Sequence, residues 1–195
     1  MDRNVLIGMT TGASIMFGFG IVWLLIGLLV AASSTGLRLS LLLAGIALGV
    51  SVATLGFLTT RLPRDTVPPT PDQIAAFRAT GRRFGLIFGL ETAAIIVAVA
   101  VLNVIHYPGY IPCAIALIVG VHFFPLAPLF RAPIYHVTGF LGCVIALAGA
   151  FAADDILRQR VVGLSFGLLL WATAAWIAWQ GFSALRQGTS NMPRI

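Results

Sequence analysis

The chain has 195 residues, 59% of them hydrophobic and 9% charged, and carries a formal net charge of +6. Soluble domains hold about 25% charged residues, so this composition excludes an ordinary soluble domain and predicts an all-α, polytopic membrane protein. The positive balance does not call for nucleic acid, because arginines gathered in the loops on one side of a membrane produce the same figure.

A membrane-crossing helix takes about 20 apolar residues. Six such stretches fit with short connections, predicting a single transmembrane domain over 1–195 with spans at 5–32, 39–60, 84–104, 110–130, 134–151 and 161–182. Val30-Ala31-Ala32 has the look of a cleavage site, but the apolar run before it exceeds the ~7–15 residues of a signal peptide. A retained first helix is the expectation. Ser33-Ser34-Thr35-Gly36 reads as a turn before the second span.

The longest connection, 61–83, opens with a proline-rich stretch that cannot be helical. Thr70-Pro71-Asp72-Gln73 then forms a capping box with proline at the first helical position and an acid in the first turn. A short interfacial helix is expected from 71, either breaking near Gly81 or running on into the third span. Ile74 and Phe77 suit the lipid boundary there, with Arg78, Arg82 and Arg83 at the headgroups.

Residues 103–109, with His106 and Tyr107, read as an interfacial turn, and Arg131-Ala132-Pro133 as a tight one. Asp154, Asp155, Arg158 and Arg160 read as a solvated last loop. Trp171, Trp176 and Trp179 fall on the sixth span. Every basic residue is arginine, and nine of the 12 fall on the side shared by both termini and the loops after spans two and four. Both termini are therefore expected in the cytoplasm of a bacterial-type plasma membrane.

Small residues one turn apart let helices approach closely in lipid. That spacing occurs at Gly8/Gly12, Gly45/Gly49, Gly85/Gly89 and Gly163/Gly167, and again at Gly142/Ala146/Ala150. It predicts a compact six-helix bundle ahead of any dimer-specific role, with a homo- or hetero-oligomer as the alternative. Residues 85–90 match 163–168 at five of six positions. An inverted repeat has that property, but spans one and four do not resemble each other. Cys113 and Cys143 fall at different depths, so a disulfide is not expected, and two thiols make no metal set.

Chemistry is expected where spans three and four meet. Glu91, the sole acid in any span, lies seven residues beyond Phe84, and His122 lies eight before Phe130. At ~1.5 Å per residue both sit roughly 10–12 Å from the same boundary. An ionisable group in a bilayer costs several kcal/mol, ~3 or more near the centre, and is functional by default. Pro125 and Pro128 follow His122 and each removes a helical donor, predicting a broken fourth helix whose freed carbonyls face a cavity. Glu91, His122, Pro125 and Pro128 are thus the candidate site for a proton or small cation in a transporter or channel-like protein.

The alternative is a non-catalytic membrane subunit in which Glu91 and His122 only lock the bundle. A third reading, an intramembrane enzyme using His122 and Ser165, requires those side chains to meet. The Gly163-Leu164-Ser165-Phe166-Gly167 string imitates a nucleophile elbow but lies inside a helical run, not at a strand-to-helix turn. No cofactor and no metal are expected: His106 and His122 belong to opposite levels, and no haem attachment motif is present.

Overall fold

The computed structural model describes residues 3–31, 46, 49 and 70–190. Among them the chain is all-helical, with five helices and no strand: α1 (Arg3–Ala31), α2 (Pro71–Val104), α3 (Ile111–Phe130), α4 (Ile134–Ala150) and α5 (Asp155–Ser190). A single 3-10 turn, Pro108–Tyr110, leads into α3. Among the described residues, three stretches are long and apolar enough to cross a membrane: Ile74–Val104, Pro108–Phe130 and Asp155–Gly181. Most of the expected span 39–60, the proline-rich 61–69 and Gly45 lie outside the described residues.

Two helix ends are built alike. At the end of α2, Tyr107 N–H donates to Leu102 O at 2.8 Å and His106 N–H to Asn103 O at 3.1 Å. At the end of α3, Ala132 N–H donates to Ala127 O at 2.9 Å and Arg131 N–H to Pro128 O at 3.4 Å. Both are Schellman motifs, in which the residue after the helix turns left-handed and its neighbours close the last carbonyls. His106 (φ 62°) and Arg131 (φ 51°) occupy that position in place of the usual glycine. Pro108 and Pro133, two residues on, prevent the helix from resuming.

The beginning of α5 departs from expectation, and that of α2 takes the second of the two expected courses. Thr70 O accepts from Ile74 N–H at 3.0 Å, and from Pro71 the helix continues unbroken for 34 residues to Val104. There is no separate interfacial helix. Gly81 costs only about 1 kcal/mol relative to alanine, too little to stop a helix that an apolar run continues. Helix α5 starts six residues before the expected 161, because Asp154 caps it: Oδ1 accepts from Leu157 N–H at 2.7 Å. An aspartate at the N-cap and another in the first turn suit the exposed N–H groups and the helix dipole. Asp154 and Asp155 are therefore a helix start, not a solvated loop.

Helices α1 and α5 form the closest pair. A Cβ placed on Gly163 would stand 2.5 Å from Gly27 N and 2.9 Å from Trp23 O, and one on Gly167 would stand 3.0 Å from Gly20 O. The backbones touch where these four glycines meet, and no larger residue fits. Trp171 fills the adjoining space, its ring stacked on Phe17 at 5.7 Å and its Nε1–H donating to Phe17 O at 3.3 Å. Gly163 and Gly167 thus oppose Gly20 and Gly27, two positions outside the small-residue spacings read from the sequence. Gly12 instead faces the Tyr135 hydroxyl, and Gly49 faces Phe17. Gly8 lies on α1.

Helices α3 and α4 also cross at glycine. A Cβ on Gly120 would lie 2.9 Å from Cys143 N, and one on Gly139 would lie 2.8 Å from Gly120 O. Phe166, fully buried, plugs the space beside Gly142 and packs on Trp23 at 5.0 Å between centroids. Cys113 and Cys143 are free thiols. Between α4 and α5, the hydroxyls of Thr138 and Thr173 lie 2.8 Å apart in the buried interior, each also within reach of a carbonyl one turn back. Two protons serve three such bonds, so one backbone bond yields whenever the cross-helix bond forms.

Helix α2 rests mainly on α3 and presents its other faces outward, with Leu86 64% and Leu90 63% exposed. Apolar surface on that scale is disfavoured in water and ordinary against lipid tails.

Candidate functional site

The contact between α2 and α3 begins at the boundary that the sequence depth count uses. Phe84 meets Phe130 edge-on, with ring centroids 5.7 Å apart. This fixes the two helices at the same height, and one residue sits about 10–12 Å further along each. These are Glu91 and His122. Glu91 Oε1 lies 3.2 Å from His122 Nδ1, and their side chains are only 8% and 14% exposed.

That oxygen is near enough for a hydrogen bond but off the N–H direction, so Nδ1 counts as a buried nitrogen whose bond is not formed. The distance brings the two side chains within reach of each other. A turn of the imidazole ring completes the bond.

Pro125 and Pro128 lie inside α3, which runs through them from Ile111 to Phe130. The predicted break is thus absent. What the prolines remove is donors: the N–H groups that would bond the carbonyls of Val121 and Phe124 do not exist. A cleft of about 280 Å³ opens beside them, lined by Arg83, Leu86, Ile87, Pro125, Pro128 and Leu129. It lies one turn nearer the boundary than Glu91 and His122, which do not line it. Arg83, Ile87 and Glu91 recur every four residues, so one stripe of α2 faces α3, with arginine at its outer end and glutamate at its inner end.

Other expected site residues are not brought here. No described atom lies within 4 Å of a Cβ built on Gly85 or Gly89. Ser165 is on α5, and no hydrogen bond joins it to His122, whose polar neighbour is Glu91. Among the described residues, no three His, Cys, Asp or Glu side chains cluster as a metal set.

A second polar centre lies at the far end of the bundle. Arg158, 4% exposed, pairs with Asp155 and lies 3.8 Å above the Tyr110 ring centre. Its Nη2 reaches Ala152 O at 3.4 Å, and its Nε is buried without a partner. Reading 154–160 as a loop hid this arrangement. The signal was Asp155 three residues before Arg158, a helical pair at a capped start.

Comparison with known protein families, curated proteins and solved structures returns no match.

Proposed function

We propose that the chain is a six-span protein of a cell membrane with both termini in the cytoplasm, and that it moves protons or small cations in a transporter or channel-like mode. Glu91 carries the proton or binds the cation, and His122 is its partner. The observation that supports this reading is the 3.2 Å approach of a partly buried carboxylate to a partly buried imidazole beside a proline-lined cleft. Ionisable groups held at that depth need a partner, and these two lie within reach of each other. The carbonyls freed by Pro125 and Pro128 add acceptors on the α3 side.

The test uses protein reconstituted in liposomes with a pH-sensitive dye inside. An imposed pH gradient should collapse faster than in protein-free vesicles, and Glu91→Gln should remove the difference. Unchanged collapse with Glu91→Gln would refute the role of the pair. A second reading, a non-catalytic membrane subunit, draws on the same geometry, because Glu91 and His122 face each other and not the cleft. It predicts that Glu91→Leu with His122→Leu folds normally and that a partner protein co-purifies.

A further inference from the structure

We infer that the cleft between α2 and α3 binds a small carboxylate with an apolar body, its charge on Arg83 and its tail against Leu86, Ile87 and Leu129. The inference rests on the proton branch of the transport reading for the coupling described below, adds a carboxylate as the proton's companion, and sets the cation branch aside.

The cleft selects by charge. Among the described residues, Arg83 is the one charged residue on the cleft's lining and forms no ion pair. The other acids on α2 are Asp72, about three turns away, and Glu91, engaged with His122. A cation entering here meets a fixed positive charge. A carboxylate finds a planar guanidinium whose N–H groups match its two oxygens. The remaining lining is aliphatic or proline, which favours an apolar body over a sugar or a polyvalent anion.

Size sets a further limit. The volume of about 280 Å³ equals roughly nine water molecules at ~30 Å³ each, and lies at the small end of ligand pockets. A carboxylic acid of about that many heavy atoms fits within it.

The arrangement also supplies a route for a proton. Glu91 follows Ile87 by one turn on the same stripe, and His122 precedes Pro125 by nearly one turn. A carboxylate at Arg83 and a proton on the Glu91–His122 pair together carry no net charge. Their joint movement makes and breaks no bond other than those of the travelling proton, and does not respond to membrane potential.

The experiment is titration calorimetry on protein in nanodiscs of neutral phosphatidylcholine, with protein-free discs as blank. Benzoate, benzylammonium and benzyl alcohol serve as probes with one shared ring and different charge. Benzoate should bind, and the other two at least tenfold more weakly. Arg83→Gln should weaken benzoate at least tenfold, whereas Arg82→Gln, which removes the same charge next door, should not. Circular dichroism of both variants should match the unmodified protein, since both side chains are exposed.

Equal binding of benzylammonium, or equal loss with Arg82→Gln, overturns the inference. So does displacement of benzoate when phosphatidylglycerol is added to the discs, which makes a lipid headgroup the occupant. The two readings fail separately. Absent benzoate binding with a Glu91-dependent proton flux removes the cleft assignment alone. Benzoate binding through Arg83 with a flux indifferent to Glu91→Gln removes the transport reading and the coupling, and leaves the binding site.

Discussion

Residues 85–90 of α2 and 163–168 of α5 share five of six letters and none of their surroundings. Phe88 is 46% exposed, whereas Phe166 is fully buried. Gly163 and Gly167 let α1 approach until backbone meets backbone, while Gly85 and Gly89 meet no described atom within 4 Å. A small residue on each turn permits close approach, but the partner decides whether the approach is made. Here α1 offers Gly20 and Gly27 to α5. Against α2, α3 offers Phe130, His122 and two prolines, which hold the helices apart and leave a cleft. One seam is closed by the absence of side chains, and the other is held by a few large or polar ones.

The comparison breaks most directly at Gly163. Gly163→Leu forces a side chain into the Gly27 backbone and should destabilise by about 3 kcal/mol or more, at the upper end of overpacking costs. Thermal unfolding in detergent reads it. The matched Gly85→Leu should leave the melting temperature nearly unchanged, and an equal loss there would mean that the two seams are alike.

A smaller effect is expected at the start of α5. Asp154→Ala removes the acceptor for Leu157 N–H and should cost ~1 kcal/mol, the usual value of an N-cap; Asp154→Asn should retain most of it. Smaller again is Thr138→Val, which deletes the cross-helix bond but leaves Thr173 its own carbonyl at 3.0 Å. About 0.6 kcal/mol is expected, the average for such bonds in membrane bundles. The double variant with Thr173→Val should add little. The smallest is Gly85→Ala, within about 0.5 kcal/mol of the unmodified protein, as for a surface position.

How much was legible in the sequence depended on whether the signal was local. Helix ends at Val104 and Phe130 are marked by turn residues with a proline three or four positions on, a local signal. The shared depth of Glu91 and His122 is likewise a counting argument, because a short turn joins their helices and a helix advances by a fixed rise. What a helix touches is not local. Gly20 and Gly27 are seven apart, so a search for four-residue spacing passes over them, and only the position of α5 gives them a role. Arg83 reads as a headgroup arginine until the cleft beside it is known. The proline break was overestimated for a related reason: a helix supported by its neighbours tolerates a missing donor that would stop an isolated one.

The length of α4 carries a consequence of its own. Its 17 residues reach about 26 Å at ~1.5 Å each, short of a hydrocarbon layer of ~30 Å, while α2 beside α3 is twice as long. Hydrophobic mismatch of this kind is relieved by thinning the bilayer locally or by tilting the longer helices. On the six-span proposal the bilayer would therefore be thinnest where α4 meets lipid, and membranes of different thickness should change the tilt of the longer helices.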